Sequence, residues 1–167
     1  ECDWSSDVCS SDLWGTTPFK TADDLFKEEM IVGGTGATVD PETTPRLLNA
    51  LIGTKFKIVS GYKGTADVNL AMERGEVQGM GDWSWSNVKS RKPDYLKENK
   101  IRVLMQVTMQ KLPDLPNVPS ALDYVKNDTD RKVMELFLAQ KEVARPVVAP
   151  PDIPADRLAT LHKADRK

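Results

Sequence analysis

The chain has 167 residues, of which 40% are hydrophobic and 29% charged, and its formal net charge is −2. That length holds one medium domain with a real core. The near-neutral charge argues against a nucleic-acid binder or a basic membrane-surface protein, and no apolar run approaches the ~20 residues of a membrane helix.

Residues 3–13 read Asp-Trp-Ser-Ser-Asp-Val-Cys-Ser-Ser-Asp-Leu, with no apolar period, no helix cap and no pattern shared with the residues after them. Asp3, Asp7 and Asp12 interrupt any apolar core and no basic start precedes one, so the stretch is not a signal peptide. It resembles the in-frame translation of a sequencing-library adapter. Residues 1–13 are therefore expected to be a non-native tail, with the genuine chain starting near Trp14; an ordinary disordered tail would leave the fold argument unchanged. The two cysteines, Cys2 and Cys9, lie in or beside this segment and support neither a disulfide framework nor a metal site.

Residues 19–27 read as a short helix capped by Thr21, with acids in its first turn. The apolar run 30–32 reads as a buried strand, ended by Gly33 and Gly34 and followed by Gly36. Residues 39–45 are dense in helix-start signals, residues 46–52 carry an apolar helical face, and Gly53 stops it. A second strand is expected at 56–59, then a glycine-flanked turn at 60–64. Thr65 caps a helix through Ala66, Val68, Leu70, Ala71 and Met72 that ends at Arg74 and Gly75. Residues 76–81 suggest a short third strand, and residues 82–86 open a helix with Asp82 or Ser84 as its cap. Residues 101–107 are the clearest strand by β-branched and apolar content.

Pro113, Pro116 and Pro119 make the next stretch an extended connector. Ser120 caps a short helix through Leu122 and Val125, and Asp128 or Thr129 caps a longer one in which Val133, Leu136, Phe137 and Gln140 recur at helical spacing. Residues 143–149 suggest a strand broken by Pro146, residues 150–154 a stiff turn, and Leu158, Leu161 and His162 a final helix with no stop signal, so a truncated carboxyl end is expected. Strands alternating with helices imply an α/β fold with a mainly parallel sheet flanked by helices, where ligands sit outside the carboxyl ends of strands. The loops 33–38, 60–64 and 81–86 fall at such ends.

The strand, glycine loop and helix around Gly34, Thr35, Gly36, Ala37 and Thr38 carry the most chemistry. Such a loop aims backbone N–H groups and the positive end of a helix dipole at one point, which suits an anion. The same glycines also serve tight βα packing with no ligand. A P-loop needs Gly-Lys-Ser/Thr, whereas Ala37 and Thr38 follow Gly36; the dinucleotide fingerprint needs a glycine where Val39 stands. A small carboxylate fits better than a nucleotide. Tyr62 offers a phenol at a strand end or a packed rim residue. Lys63 is a candidate carboxylate partner or a solvated turn lysine, beside Gly64. Trp83, Ser84 and Trp85 are candidates for the cleft wall, one of the two indoles being expected in the core. Asp82 is expected to be a helix cap, since its charge would repel a carboxylate. Met72, Met80, Met105 and Met109 read as packing.

No catalytic residue is expected. His162, the one histidine, sits far from any nucleophile elbow, and zinc would lack its ligands outside residues 1–13. No cofactor is implied. Two other readings stay open: a small α/β enzyme using the glycine loop for phosphate, and a non-functional assembly fragment.

The order Gly-Gly-Thr-Gly-Ala, Gly-Tyr-Lys-Gly, Met-Glu-Arg-Gly-Glu-Val-Gln-Gly, Leu-Pro-Asp-Leu-Pro-Asn-Val-Pro-Ser and Arg-Pro-Val-Val-Ala-Pro-Pro-Asp-Ile-Pro resembles the substrate-binding receptors of tripartite tricarboxylate transporters, the Bug family, from about Thr17 to Ala164. The Leu-Pro-x-Val-Pro and Ala-Pro-Pro-x-x-Pro elements are the most specific. The resemblance implies a periplasmic, two-lobed binding protein of the type II class, monomeric when full length, that catches a small organic carboxylate between its lobes and hands it to membrane permease subunits. Nucleic acid is not an expected partner. Residues 14–141 then correspond to one α/β ligand-binding lobe and residues 142–167 to a crossover towards a first lobe. Two departures stand out: Gly61 replaces the usual proline of the Pro-Tyr-Lys-Gly turn, and Asp82-Trp83-Ser84-Trp85 is unusually rich in tryptophan. A single lobe is expected to bind carboxylates weakly by itself.

Overall fold

A computed structural model describes residues 9–15 and 17–142, with positions 154 and 157. Five strands, β1 (Cys9–Trp14), β2 (Met30–Gly34), β3 (Phe56–Ser60), β4 (Gly79–Ser84) and β5 (Ile101–Val107), form one sheet in the order β3-β2-β4-β1-β5. The helices are α1 (Asp24–Lys27), α2 (Asp40–Leu51), α3 (Thr65–Glu73), α4 (Trp85–Arg91), α5 (Pro93–Lys97) and α6 (Asp128–Glu142), with a 3-10 turn at Ala121–Tyr124. β2 is parallel to β3 and β4, while β1 runs antiparallel to β4 and β5. The α/β class and the mainly parallel sheet follow the expectation. The strand, turn and helix expected over residues 143–167 lie outside the described residues.

Period-two alternation splits the core into two layers. In β2, Met30 and Val32 face a layer with Leu25, Leu48, Leu104, Met134 and Leu138, while Ile31 joins a second layer with Val68, Met72, Met80, Trp83, Val88 and Tyr95. The sheet therefore lies between α1, α2 and α6 on one side and α3, α4 and α5 on the other.

The alternation breaks twice, at the same level of the sheet. Residues 10–12 of β1 stand opposite residues 80–83 of β4 and residues 103–106 of β5, so each neighbour carries one extra residue there. Such a bulge leaves two successive side chains on one face. In β5 these are Leu104 and Met105, both in the first layer. In β4 they are Gly81, whose missing Cβ leaves room for Pro45 of α2, and Asp82, which also turns towards α2.

Several local expectations change. Residues 1–13 are expected from sequence to stand apart from the domain, yet residues 9–14 pair on both sides within the sheet. Strand ladders bond through main-chain N–H and C=O groups, which any non-proline sequence supplies, so the absence of an apolar period gives no warning. In α1 the capping is reversed: Asp24 accepts the N–H groups of Lys20 and Thr21 and the Thr21 hydroxyl, and the helix starts at Asp24. β4 begins three residues later than expected, because Gly75 turns the chain with φ +75° after α3. In α6 the buried face is Met134 and Leu138 with Phe137 half-buried; Val133 and Leu136 are exposed, Leu136 at 66%. Two apolar stripes are available one residue apart, and packing against β5 and α2 selects the other.

The main chain of the proline-rich connector is anchored by the side chain of Gln106. Gln106, fully buried in β5, donates through Nε2 to the carbonyls of Leu115 (2.8 Å) and Val118 (2.9 Å) and accepts the Leu112 N–H at 2.8 Å. Its own N–H donates to Pro119 O at 2.8 Å. Prolines cannot join a ladder as donors, so the carbonyls beside them find a side-chain amide instead. The connector then ends in a capping box at Ser120 and Asp123, as the serine suggests.

Candidate functional site

Because β2, β3 and β4 are parallel, their carboxyl ends share one edge of the sheet. The glycine loop after Gly34, the turn after Ser60 and the start of α4 after Ser84 all leave from it. The first two loops meet directly: the Tyr62 N–H donates to Gly34 O at 3.3 Å. Gly33 permits that contact, since a Cβ there would lie 3.3 Å from Tyr62 Cε2 and 2.6 Å from Val68 Cγ1. Burial, with the negative charge of Glu76 adding to it, pushes the Tyr62 phenol above its ordinary range, so it stays a neutral hydroxyl.

The glycine loop closes over a side chain absent from the sequence-based candidates. Glu42, in the first turn of α2 and 1% exposed, accepts the Gly36 N–H at Oε1 over 2.8 Å. Arg46, one helical turn on and mostly in solvent, approaches Oε2 at 3.4 Å. Gly34 makes room for this carboxylate, because a Cβ there would sit 2.3 Å from Glu42 Cγ and 2.6 Å from Oε1. Gly36 has φ +148°, a conformation that side-chain-bearing residues rarely adopt. The positive end of the α2 dipole thus already faces one carboxylate, supplied by the chain. Thr35 and Gly36 are half-buried, and Ala37 and Thr38 are exposed on the outer side of the loop.

The remaining candidates separate. Lys63 is exposed, and its main-chain N–H donates to Asp67 at 3.2 Å. Gly64 is the N-cap of α3. Trp83 is buried and packs edge-on against Tyr95, with ring centres 6.3 Å apart. Trp85 is buried too, its indole N–H donating to Asp114 at 3.2 Å. Ser84 is the N-cap of α4, its hydroxyl 2.9 Å from that of Ser86.

Asp82 does not cap a helix. The β4 bulge turns it towards α2, where it accepts the Thr44 hydroxyl and the Lys141 ammonium. Lys141 also donates to Thr44 Oγ1 at 3.1 Å, lies 3.8 Å from Asp40 and rests 5.0 Å from the Phe137 ring centre. The side chains of Asp82 and Lys141 are 2% and 10% exposed. This buried ion pair fastens the last turn of α6 to β4, with Thr44 of α2 hydrogen-bonded to both partners. The signals for both hidden acids are present but weak: Glu42 is an acid in the first turn of a helix after glycines, and Asp82 follows a strand glycine. Among the described residues no group of three or more His, Cys, Asp or Glu is placed to hold a metal ion.

No protein-family model matches the chain, and no curated protein is similar to it. Solved structures are. A TctC solute-binding protein from Polaromonas superposes with a TM-score of 0.59 at 14% identity, covering 96% of this chain and 57% of that one. Rpa4515 of R. palustris with adipate gives 0.59 at 15%, covering 96% and 62%. MatC of Rhodopseudomonas palustris with bound malate gives 0.55 at 18%, covering 97% and 52%. The chain thus spans little more than half the length of these proteins. Over that half, its fold is the fold of the TctC/Bug-type periplasmic solute-binding proteins.

Proposed function

We propose that this chain is the ligand-holding lobe of an extracytoplasmic solute-binding receptor of the tripartite tricarboxylate transporter type. It takes up a small organic carboxylate without chemistry, in the periplasm, for delivery to membrane permease subunits. The observation that carries this reading is the joining of the glycine loop to Tyr62 at the shared carboxyl edge of β2 and β3. That edge offers the outer loop residues Thr35, Ala37 and Thr38, the glycines Gly34 and Gly36, and a neutral Tyr62 hydroxyl, with Lys63, Gly64 and Ser84 at neighbouring strand ends. Hydroxyl and amide donors of this kind orient a carboxylate. Two proteins of the same fold hold adipate and malate. Glu42 limits the seat: its charge favours a ligand that presents one carboxylate to the outer face of the loop rather than entering it.

A thermal-shift screen of dicarboxylates, aromatic acids and phosphates tests the ligand class. At ~10 times Kd a ligand stabilises the chain by about 1.4 kcal/mol, enough to move the melting temperature by several degrees. Stabilisation by a dicarboxylate supports the reading; stabilisation by phosphates alone would favour a phosphate-binding enzyme instead.

A further inference from the structure

On the face of the sheet that carries α3 and α4, a cavity of about 440 Å³ lies between the two helices. Thr65, Asn69 and Glu73, successive turns of α3, line one side; Trp83, Asn87 and Lys92 line the other. Asn69 is 6% exposed, and its Oδ1 is buried with no hydrogen-bond partner among the described residues. A buried acceptor left unpaired carries its full desolvation cost, so this oxygen calls for a donor from outside.

The charges around the cavity narrow the donor. Lys92 is already engaged: it donates to the Tyr95 hydroxyl at 3.0 Å, lies 3.7 Å from Glu73 and sits 4.7 Å from the Tyr95 ring centre. The Tyr95 hydroxyl in turn donates to Glu73, which holds that carboxyl below its ordinary range and keeps it ionised. Asp67 adds a second carboxylate at the mouth. The cavity therefore offers acceptors, negative charge and an indole wall. One water has a share of about 30 Å³ in the liquid, so a single water on Asn69 would leave most of the space and the apolar wall unused.

We infer that this cavity is a second binding site, for a small organic ammonium ion whose N–H donates to Asn69 Oδ1 and whose apolar arm lies against Trp83. The cavity lies apart from the glycine loop; it is linked to the carboxylate edge through Asp67, which accepts the Lys63 N–H at 3.2 Å.

The test is an NMR titration of the full chain with phenethylammonium chloride, following the Asn69 side-chain amide and the Trp83 indole N–H. Both signals should shift saturably with a Kd below about 1 mM. Asn69→Leu should abolish the indole shift, and Asn69→Asp, which adds charge beside the ammonium, should tighten binding severalfold even if the leucine variant folds poorly. Malate should leave the signals in place. Absence of a saturable shift, weaker binding by Asn69→Asp, unchanged binding by Asn69→Leu, or displacement by malate would each overturn the inference. Failure of carboxylate binding at the glycine loop would not touch it.

Discussion

The Gly36 N–H donates to the Glu42 carboxylate across 2.8 Å, so the glycine loop is closed from within by an acid of the helix it leads into. The loop's shape depends on this pair. Glu42→Ala should destabilise the chain by about 2 kcal/mol in urea unfolding, because it leaves a cavity and an unmade N–H. Glu42→Gln keeps an acceptor and removes the charge, so it should cost less and bind dicarboxylates more tightly than the parent. Equal affinity in the glutamine variant would show that Glu42 does not face the ligand seat.

Gly34 and Glu42 also make a steric prediction. Gly34→Ala puts a methyl group where Glu42 now lies, 2.3 Å from its Cγ. The side chain must leave its buried position, and overpacking of this kind costs about 1–3 kcal/mol. A melting temperature equal to the parent's would mean that the loop yields without strain.

The pair Asp82 and Lys141 ties α6 to the sheet. Asp82→Ala strands a nearly buried ammonium and should lower stability by about 3 kcal/mol. Adding Lys141→Met should recover part of that loss, and a double-mutant cycle in urea reads the coupling directly. Additive effects would show that the two charges do not depend on each other.

Much of this architecture is legible in the sequence. The four strands after β1 and helices α2, α3 and α6 are marked by apolar period and glycine stops, and the capping serine at Ser120 behaves as its type suggests, whereas the expected caps Thr65 and Asp128 or Thr129 lie within α3 and α6. Long-range main-chain pairing is not legible. The strand at residues 9–14 carries no pattern that names its neighbours, and the bulges in β4 and β5 exist only relative to it. Those bulges decide where Asp82 points, so its partners Thr44 and Lys141, 38 and 59 residues away in sequence, are out of reach of any local rule. Glu42 is hidden for a related reason: an acid in a first helical turn is usually a solvated dipole partner, and only the absent side chain of Gly34 lets it turn inward.

Residues 9–14 supply the ladder between β4 and β5, which gives a direct prediction. Deleting residues 1–13 exposes two strand edges and should lower the melting temperature clearly, with increased association in solution. Unchanged melting would mean that the segment behaves as a dispensable tail, as its composition suggests.

Gln106 offers an independent check on the connector. Gln106→Leu removes the partner of Leu115 O, Val118 O and the Leu112 N–H together. At about 1 kcal/mol for each bond lost, the chain should lose about 3 kcal/mol, with faster amide exchange confined first to residues 112–119.

Binding of a small carboxylate by the joined loops at the carboxyl edge of β2 and β3 is open to one direct measurement. A titration of the full chain with malate and with adipate, followed by two-dimensional amide NMR, tests it even when binding is weak. Saturable shifts are expected at Thr35, Gly36, Ala37, Thr38 and Tyr62, with a Kd of about 1 mM or tighter and no effect of equal phosphate. Gly36→Ala, which strains a backbone held at φ +148°, should weaken those shifts. Saturable shifts that spare these residues, or shifts with phosphate alone, would contradict carboxylate binding at these loops.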